Sequence, residues 1–167
     1  MIDSPVGALK LIASQEGLAA ILWENDDPKR VRLAPQVRDD KNIYLLKAEA
    51  QLKEYFAGKR ISFELPLDFK GTDFQKSVWQ ALLKIPYGQT RSYGQIAEQL
   101  KRPKASRAVG AANGKNPISI IAACHRVIGA SGALTGFAGG LKAKAFLLDL
   151  ENKVHTPPLS KKARSRS

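Results

Sequence analysis

Ile-Ser-Ile-Ile-Ala-Ala-Cys-His-Arg-Val-Ile, residues 118–128, is the stretch around which the rest of the chain is organised. It carries the single cysteine of the chain, Cys124, directly beside His125. The five residues before Ala123 are small or apolar, apart from Ser119. We expect such a segment to be buried and to hold the thiol in place, while the polar His-Arg pair that follows faces a cleft or solvent.

A cysteine beside a histidine is a candidate for nucleophilic chemistry. The thiolate is the nucleophile, and a thiol with an ordinary pKa of ~8.5 is mostly protonated at neutral pH, so it needs a base such as His125. The alternative is that Cys124 is a small buried hydrophobe, since neighbours on a strand point in different directions. A third group that orients the imidazole would favour catalysis. Glu151 or Asp149 could supply it if the last helix folds back over the site.

The charge of the chain favours a polyanionic partner such as nucleic acid. Among 167 residues there are 27 Lys and Arg against 15 Asp and Glu, a formal net charge of +12. A generically basic surface is the alternative, to which the basic residues of the stretch 154–167 contribute, and we expect that tail to be disordered. The excess persists without the tail, because residues 72–151 contain 11 basic and four acidic residues.

Several classes of protein are disfavoured by the sequence. One cysteine cannot form an internal disulfide, and two histidines do not make the ligand set of a structural zinc site, so no metal is expected. Residues 1–22 lack the pattern of a signal peptide, and no stretch has the length and apolarity of a membrane span. We therefore expect an intracellular protein that is not bound to a membrane.

The first 70 residues predict a small sheet-plus-helix unit. The predicted elements are strands at 8–13 and 18–23 that form a hairpin, an irregular connection or short strand at 24–40 containing Pro28 and Pro35, a helix at 44–56 followed by Gly58 as its cap, and an edge strand at 61–67. Pro66 restricts that last strand to an edge, because proline has no N–H to donate.

From residues 68–71 onward the pattern changes to short helices separated by tight breaks. The change predicts a boundary near residue 70, between an amino-terminal unit (1–70) and a carboxy-terminal unit (71–153). Thr72 and Gln75 have the spacing of a capping box that opens the first helix. Further helices are predicted at 92–100, 105–113 and 141–150, with a glycine-rich loop at 129–140 before the last of them. The expected fold class is α/β, of the α+β type.

The helices at 92–100 and 105–113 have the helix-turn-helix pattern, in which the second helix enters a groove of DNA. Helical hairpins are also common as plain structure, so the pattern alone does not decide. Charge favours DNA, since Arg102, Lys104 and Arg107 cluster at the turn and on the second helix. The alanines of that helix leave little bulk to keep its backbone away from a duplex.

Several motifs, in order and spacing, resemble those of the O6-alkylguanine-DNA alkyltransferases. They are Arg-Ala-Val-Gly-Ala-Ala-Asn (107–113), Asn116-Pro117, Ala-Cys-His-Arg-Val (123–127) and Gly-Phe-Ala-Gly-Gly (136–140). The resemblance covers nearly the whole chain and is strongest from Phe74 to Glu151. It implies a ribonuclease H-like amino-terminal domain and a winged-helix-like carboxy-terminal domain.

The resemblance also implies a function. Such a protein binds double-stranded DNA, rotates an O6-alkylguanine out of the stack and moves the alkyl group to its own cysteine, here Cys124. The thioether that results is a very poor leaving group, so each molecule would act once. The resemblance also implies a monomer that needs no cofactor. A DNA- or lesion-binding protein without transfer activity is the alternative, and a cysteine hydrolase is a weaker one.

By the same resemblance, His125 would deprotonate Cys124 through a bound water, Glu151 would hold and polarise His125, and Asn116 would tie the helix-turn-helix to the active-site strand. The substrate-binding residues would be Tyr93, Val127, Phe137 and Ala138, and the DNA-binding residues Ala105, Ser106, Arg107, Asn113 and Lys115. Tyr93 would donate a hydrogen bond to the leaving base, and Arg107 would enter the stack in place of the guanine. The plainer alternatives are a core tyrosine, a phosphate contact, a turn cap at Asn116 and a solvated helix end at Glu151.

Two residues depart from the pattern of the family. Its members normally have a proline before the cysteine, where this chain has Ala123, which removes a fixed φ and adds a backbone N–H. We therefore expect the thiol to be placed less rigidly. Phe137 stands where many members have tyrosine, and so lacks a hydroxyl near the pocket.

Overall fold

The structure is a computed structural model that describes residues 1–31, 33, 39, 41–129 and 137–155. Three predicted features fall wholly or largely outside these residues. They are the part of the irregular connection around Pro35, most of the glycine-rich loop, and the basic tail beyond residue 155.

The amino-terminal hairpin has the predicted form. Strand β1 (Leu9–Ala13) pairs antiparallel with β2 (Leu18–Trp23), with Leu9 opposite Trp23 and an irregularity between Ile12 and Ala13. Nearly all of β2 is buried, and the strand contacts the carboxy-terminal unit through a bridge between Ile21 and Ile118. Its backbone reaches that unit directly, since the Ile21 N–H donates to the Pro117 carbonyl at 2.9 Å.

The predicted edge strand at 61–67 is wrong. Only Leu67 forms a bridge, to Leu18 of β2. Upstream, Gln51 Nε2 donates to the Glu64 carbonyl and Gln51 Oε1 accepts from the Glu64 N–H, both at 2.9 Å. Pro66 has no N–H to donate to a ladder. The segment is therefore held by a helix side chain instead of a strand ladder.

Helix α1 (Ile43–Phe56) confirms the predicted helix, and its limits are set by its caps. The Asn42 side chain accepts from the N–H groups of Tyr44 and Leu45 at the start. At the end Gly58 adopts a left-handed φ of 76°. The Gly58 N–H donates to the Tyr55 carbonyl, and the Lys59 N–H donates to the Glu54 carbonyl. This pair of hydrogen bonds is a Schellman motif.

The carboxy-terminal unit contains the predicted helices. They are α2 (Asp73–Leu83), α3 (Tyr93–Gln99), α4 (Ser106–Gly114) and α5 (Leu141–His155). Capping boxes open α2, through Thr72 and Gln75, and α3, through Ser92 and Gln95. Helices α2, α3 and α4 pack together, and the Trp79 indole donates to the Ala112 carbonyl at 2.8 Å. The helix-turn-helix prediction is thereby confirmed as structure.

The last helix is longer than predicted. It runs to residue 155 and not 150, so Glu151 lies within α5 and not at its end. The side chain of Glu151 is buried, at 1% exposed, which excludes the solvated helix end as its setting.

A short parallel strand pair was not predicted. Strand β3 (Arg91–Ser92) pairs with β4 (Val127–Ile128), which joins the start of α3 to the segment just after Cys124. Two-residue strands carry no periodicity that a sequence could reveal.

Over the residues that the structure describes, the fold is mixed α/β, as expected: a small unit with a two-stranded sheet and one helix, followed by a helical unit with a helix-turn-helix. Within the described ranges, none of the helices is long and apolar enough to cross a membrane.

Candidate functional site

Cys124 begins a 3₁₀ turn (Cys124–Arg126) and is buried, with 3% of its surface exposed. The expectation that a buried segment holds the thiol is confirmed. The expectation that the next two residues face a cleft or solvent is wrong, since His125 and Arg126 are both buried. The tight turn carries both side chains into the protein, where a carboxylate pairs with them.

The segment before the cysteine is a strained loop and not a strand. Ile120 has a φ of 74°, in the left-handed region that a β-branched residue rarely adopts. Such strain persists only where the surroundings fix the backbone. Here the Trp23 indole donates to the Ser119 hydroxyl at 3.1 Å, so a residue of the amino-terminal hairpin fixes the loop.

Asn116 connects the end of α4 to this loop. Its Nδ2 donates to the Ala122 carbonyl at 2.8 Å, and its Oδ1 accepts from the Ile118 N–H at 3.1 Å. Its own carbonyl accepts from Arg30 Nη1 at 2.7 Å. The residue is fully buried, so the side chain ties the helix-turn-helix to the loop that leads to Cys124.

Glu151 accepts hydrogen bonds from several side chains in a buried network. Its Oε2 lies 2.6 Å from His125 Nε2, and its carboxylate accepts from Arg126 Nε at 2.7 Å and Nη2 at 3.0 Å. The Tyr55 hydroxyl, from α1, donates to the same Oε2 at 2.6 Å. Asp149, the other residue considered for this place, is exposed and pairs with Lys153.

The network sets the charge states of the pair. Burial alone would raise the pKa of the Glu151 carboxyl, but hydrogen bonds and charges of His125 and Arg126 lower it to about 2. Burial lowers the pKa of His125, and Glu151 only partly offsets this. The histidine is therefore neutral near pH 7. Because a carboxylate only accepts, Nε2 carries the ring proton, and Nδ1 is left buried without a hydrogen-bond partner among the described residues.

The thiol itself is protonated at rest. Burial raises the pKa of Cys124, while hydrogen bonds from Asn116 and Ser119 and the charges of Arg30 and Lys144 act in the opposite direction. A proton acceptor is therefore needed to form the thiolate. The polar groups around it favour the thiolate once it forms.

A fully buried lysine accompanies the cysteine. Lys144 of α5 donates from Nζ to the Val127 carbonyl at 2.6 Å, and its Nζ lies 6.0 Å from the centre of the Phe137 ring. Burial lowers the pKa of its ammonium, and the charge of Cys124 raises it. This cation fixes the backbone immediately after the 3₁₀ turn.

The residues predicted to bind substrate lie beside the turn. Pairing of β3 with β4 brings Tyr93, the first residue of α3, next to the backbone that carries Val127. The Tyr93 ring packs over Gly110 of α4. Phe137 stacks edge-on against Trp23 with ring centres 5.2 Å apart, and Ala138 is exposed.

One face of α4 is exposed and has small residues between two basic ones. The exposed residues are Arg107, Ala108, Ala111, Gly114 and, just beyond the helix, Lys115. Ala105 and Ser106 are partly buried at its start. Asn113, also predicted to bind DNA, is buried on the opposite side of the helix, and its Oδ1 has no hydrogen-bond partner among the described residues.

Ala123 already has the backbone that a proline would impose. Its φ of −77° and ψ of 65°, with the Cys124 N–H donating to the Ala122 carbonyl at 2.7 Å, form an inverse γ-turn. Proline fixes φ at about −65 ± 15°, a range that includes the φ of Ala123. The turn thus supplies the constraint that the missing proline would have supplied.

We therefore predict that Ala123→Pro raises the melting temperature by about 1–3 °C, because it restricts only the unfolded chain. Differential scanning calorimetry measures this. A lower melting temperature would show that the N–H of Ala123 is needed or that the preceding residue cannot adopt the extended backbone that proline requires.

Sequence reasoning missed three residues of the site. The sequence predicts a cleft or solvent for Arg126 and assigns no role in the site to Lys144 or Tyr55. A lysine among the apolar positions of α5 was the one available signal, since a buried lysine needs a specific partner.

Known proteins are similar to both units. Residues 73–153 match the family described as "6-O-methylguanine DNA methyltransferase, DNA binding domain", and residues 1–69 match its "ribonuclease-like domain". A methylated-DNA–protein-cysteine methyltransferase of Methanosarcina acetivorans is 49% identical over 90% of this chain and 96% of its own length. One from Mycobacterium bovis is 51% identical over 90% and 89%.

Among solved structures, Mycobacterium tuberculosis OGT in complex with DNA is similar to this chain. It aligns with a TM-score of 0.80 and 47% identity, over 92% of this chain and 91% of the other. The similarity therefore extends through both units and includes the site.

Proposed function

The chain belongs to the 6-O-methylguanine DNA methyltransferase family, and we propose that its acceptor residue is Cys124. The function of the chain is direct-reversal DNA repair by transfer of an alkyl group to a cysteine. The observation that carries the assignment of Cys124 is the buried His125–Glu151 pair directly after it, with Nδ1 of His125 unpaired among the described residues. The proposed substrate is O6-alkylguanine in double-stranded DNA.

In the proposed reaction the sulfur of Cys124 attacks the alkyl carbon in line with its bond to O6 of guanine. The carbon–sulfur bond forms as the carbon–oxygen bond breaks, and the thiol proton passes to Nδ1 of His125 through a bound water. Glu151 stabilises the imidazolium that results. Tyr93 donates a hydrogen bond to the departing base, so that guanine is restored once it regains a proton. No cofactor is needed, because the thiolate supplies the electron pair.

The buried setting of the thiol supports this chemistry. A desolvated thiolate is not shielded by water, and the donors that stabilise it, on Asn116 and Ser119, are already in place. The alkylated base would bind beside the backbone of Val127, with Phe137 and Ala138 at the pocket edge. Because the reacting carbon is stacked inside a duplex, the base has to rotate out to reach the sulfur.

DNA binding is assigned to the exposed face of α4. Small side chains let the helix backbone approach the duplex closely, and Arg107 and Lys115 lie at the two ends of that face. Ala105 and Ser106 at the helix start are placed for contacts with the sugar–phosphate backbone. The side chain of Asn113 is buried and cannot contact DNA, so Asn113 contributes only as part of helix α4.

Arg107 is expected to hold the flipped base out of the stack. For Arg107→Ala we predict that transfer from a duplex falls by about tenfold or more, while transfer from free O6-benzylguanine changes less than about twofold, since flipping a base costs a few kcal/mol and a free base needs no flipping. Single-turnover rates on the two substrates provide the measurement.

Lys104→Ala is the matched control, because Lys104 is an exposed cation in the turn before the same helix. Loss of a phosphate contact should weaken DNA binding uniformly and reduce the salt dependence of binding by about one charge. If Arg107→Ala behaves like Lys104→Ala, or slows both substrates equally, Arg107 does not occupy the stack.

The number of guanines restored per protein molecule separates this function from its rivals. With a tenfold excess of duplex containing O6-methylguanine, repair should stop when one equivalent has been restored. Continued release of product over many turnovers would indicate a cysteine hydrolase. Tight binding of the lesion without any restored guanine would indicate a lesion-binding protein.

The remaining parts of the proposal concern the protein as a whole. Residues 1–70 form a supporting domain, and residues 71–153 form the domain for DNA binding and transfer. The protein acts as a monomer in the cytoplasm, or in the nucleus of a eukaryotic cell.

A further inference from the structure

Tyr55 reaches the site from the amino-terminal unit. It lies in the last turn of α1, is fully buried, and donates from its hydroxyl to Glu151 Oε2 at 2.6 Å across 96 residues of sequence. Its ring is held by the rings of Phe56, Phe63 and Tyr87, at 5.3, 5.5 and 6.3 Å between centres. The hydroxyl is therefore fixed in position and not merely near the carboxylate.

The oxygen that Tyr55 contacts is the one that faces the histidine. Glu151 Oε2 also lies 2.6 Å from His125 Nε2 and accepts from Arg126 Nη2 at 3.0 Å. Each donor to a carboxylate oxygen lowers its basicity. With three donors around it, Oε2 is a weak base, so the proton shared with the histidine stays on Nε2.

The hydroxyl can act only as a donor at this place. Burial, and then the charge and hydrogen bond of Glu151, raise the pKa of Tyr55 far above its ordinary value, so the phenol stays protonated. The titratable and charged groups that interact with the His125–Glu151 pair are Tyr55 on α1, Tyr87 before β3, Arg126 on the 3₁₀ turn, and Lys144 on α5. Among these, Tyr55 and Arg126 hydrogen-bond the carboxylate directly.

We propose that Tyr55 is a positioning residue for alkyl transfer: its hydrogen bond to Glu151 weakens that carboxylate as an acceptor, which keeps Nδ1 of His125 unprotonated and ready to accept the thiol proton. The amino-terminal unit then contributes a side chain to the site, in addition to supporting the carboxy-terminal unit. The inference rests on the proposed role of His125 as the base. It extends that role by naming the group that tunes the base.

The test is the pH dependence of transfer from free O6-benzylguanine by Tyr55→Phe, which keeps the ring and its packing. Without the hydroxyl, Oε2 becomes a stronger acceptor and stabilises protonated His125, so the pKa of His125 rises. The acid limb of the rate profile should then move up by about one pH unit, the size expected for one hydrogen bond to a charged group. At a pH on the acid limb the rate should fall by up to about tenfold, while the rate at pH 8 should be nearly unchanged.

Tyr44→Phe is the matched control. Tyr44 lies on the same helix, and its hydroxyl only approaches the Gln15 carbonyl, at 3.5 Å. Its profile should coincide with that of the wild type. An equal fall in rate at every pH for Tyr55→Phe, with the acid limb unmoved, would show a structural role alone and overturn the inference.

A second measurement does not depend on the folding of the variant. Protein made with 3-fluorotyrosine at its four tyrosines carries a more acidic phenol at Tyr55, which is a stronger donor. Its acid limb should move to lower pH, opposite to Tyr55→Phe, and an unmoved limb would contradict the inference. The same labelling of Tyr55→Phe alters only the other three tyrosines and should not move the limb of that variant; an equal shift there would contradict the inference too. His125→Gln tests the proposed base separately, because it should abolish the acid limb of the wild-type profile. If the wild type has no acid limb, or if His125→Gln keeps it, then the assignment of His125 as the base is wrong, which is a failure of the proposed function and not of the inference on Tyr55.

Discussion

Cys124→Ala is expected to lose alkyl transfer completely while still binding duplex DNA with an affinity within about twofold of the wild type. Alanine has no nucleophilic atom, and no group in the described network could replace it: Glu151 is tied to three donors, and His125 is oriented as a base. Binding should persist, because the thiol is buried and the proposed DNA surface is the exposed face of α4. Methyl release from labelled duplex and gel-shift titration measure the two properties.

Wild-type protein blocked beforehand with free O6-benzylguanine is the control for this experiment. It should also fail to restore guanine, because its single thiol is consumed. Residual transfer by Cys124→Ala above the uncatalysed rate would mean that another residue accepts the alkyl group. Loss of DNA binding together with transfer would point to a folding defect, which thermal unfolding would reveal.

Glu151→Gln is expected to slow transfer by about a hundredfold, at the low end of what general-base catalysis contributes. It should also lower the free energy of unfolding by about 3 kcal/mol, because the guanidinium of Arg126 is left buried without an anion. Glutamine keeps the shape of the side chain, so the effect reports its charge. Single-turnover kinetics and urea unfolding provide the two values.

Asp149→Asn is the matched control, since it removes a carboxylate from the same helix at an exposed ion pair with Lys153. Such pairs contribute about 0–1 kcal/mol, so both rate and stability should remain near those of the wild type. If Glu151→Gln is as mild as Asp149→Asn, the buried network does not support the site.

The effect of Glu151 on stability should depend on pH with a defined sign. Its carboxyl has a pKa of about 2 in the folded protein against an ordinary value of 4.5, so it stabilises the fold above pH 4.5. That contribution is lost as the pH falls from 4.5 towards 2. The difference in unfolding free energy between the wild type and Glu151→Gln should therefore shrink through this window.

The local parts of the fold could be predicted from the sequence. The capping box at Thr72 begins its helix as predicted, since such a cap depends on residues three positions apart. The hairpin strands follow from their β-like runs on either side of a turn. The predicted strand at 61–67 failed because its backbone partners are side-chain groups of Gln51, which no local pattern reveals.

The site could be predicted only in part, and for a similar reason. Cys124 and His125 are adjacent in sequence, and the family motifs pointed to Glu151 and Asn116. The burial of Arg126 and the contribution of Tyr55 depend on how α1 and α5 pack around the 3₁₀ turn. Such contacts between distant segments are properties of the tertiary fold, and a single sequence contains no periodicity that shows them.

The central claim, that Cys124 is the acceptor, is tested most directly by locating the transferred group. Wild-type protein is incubated with an excess of duplex containing O6-methylguanine and digested with trypsin, and the peptide of residues 116–126 is sequenced by tandem mass spectrometry. The account predicts one methyl group per protein molecule, on the sulfur of Cys124. A methyl group on any other peptide, or an unmodified protein beside fully restored DNA, would contradict it.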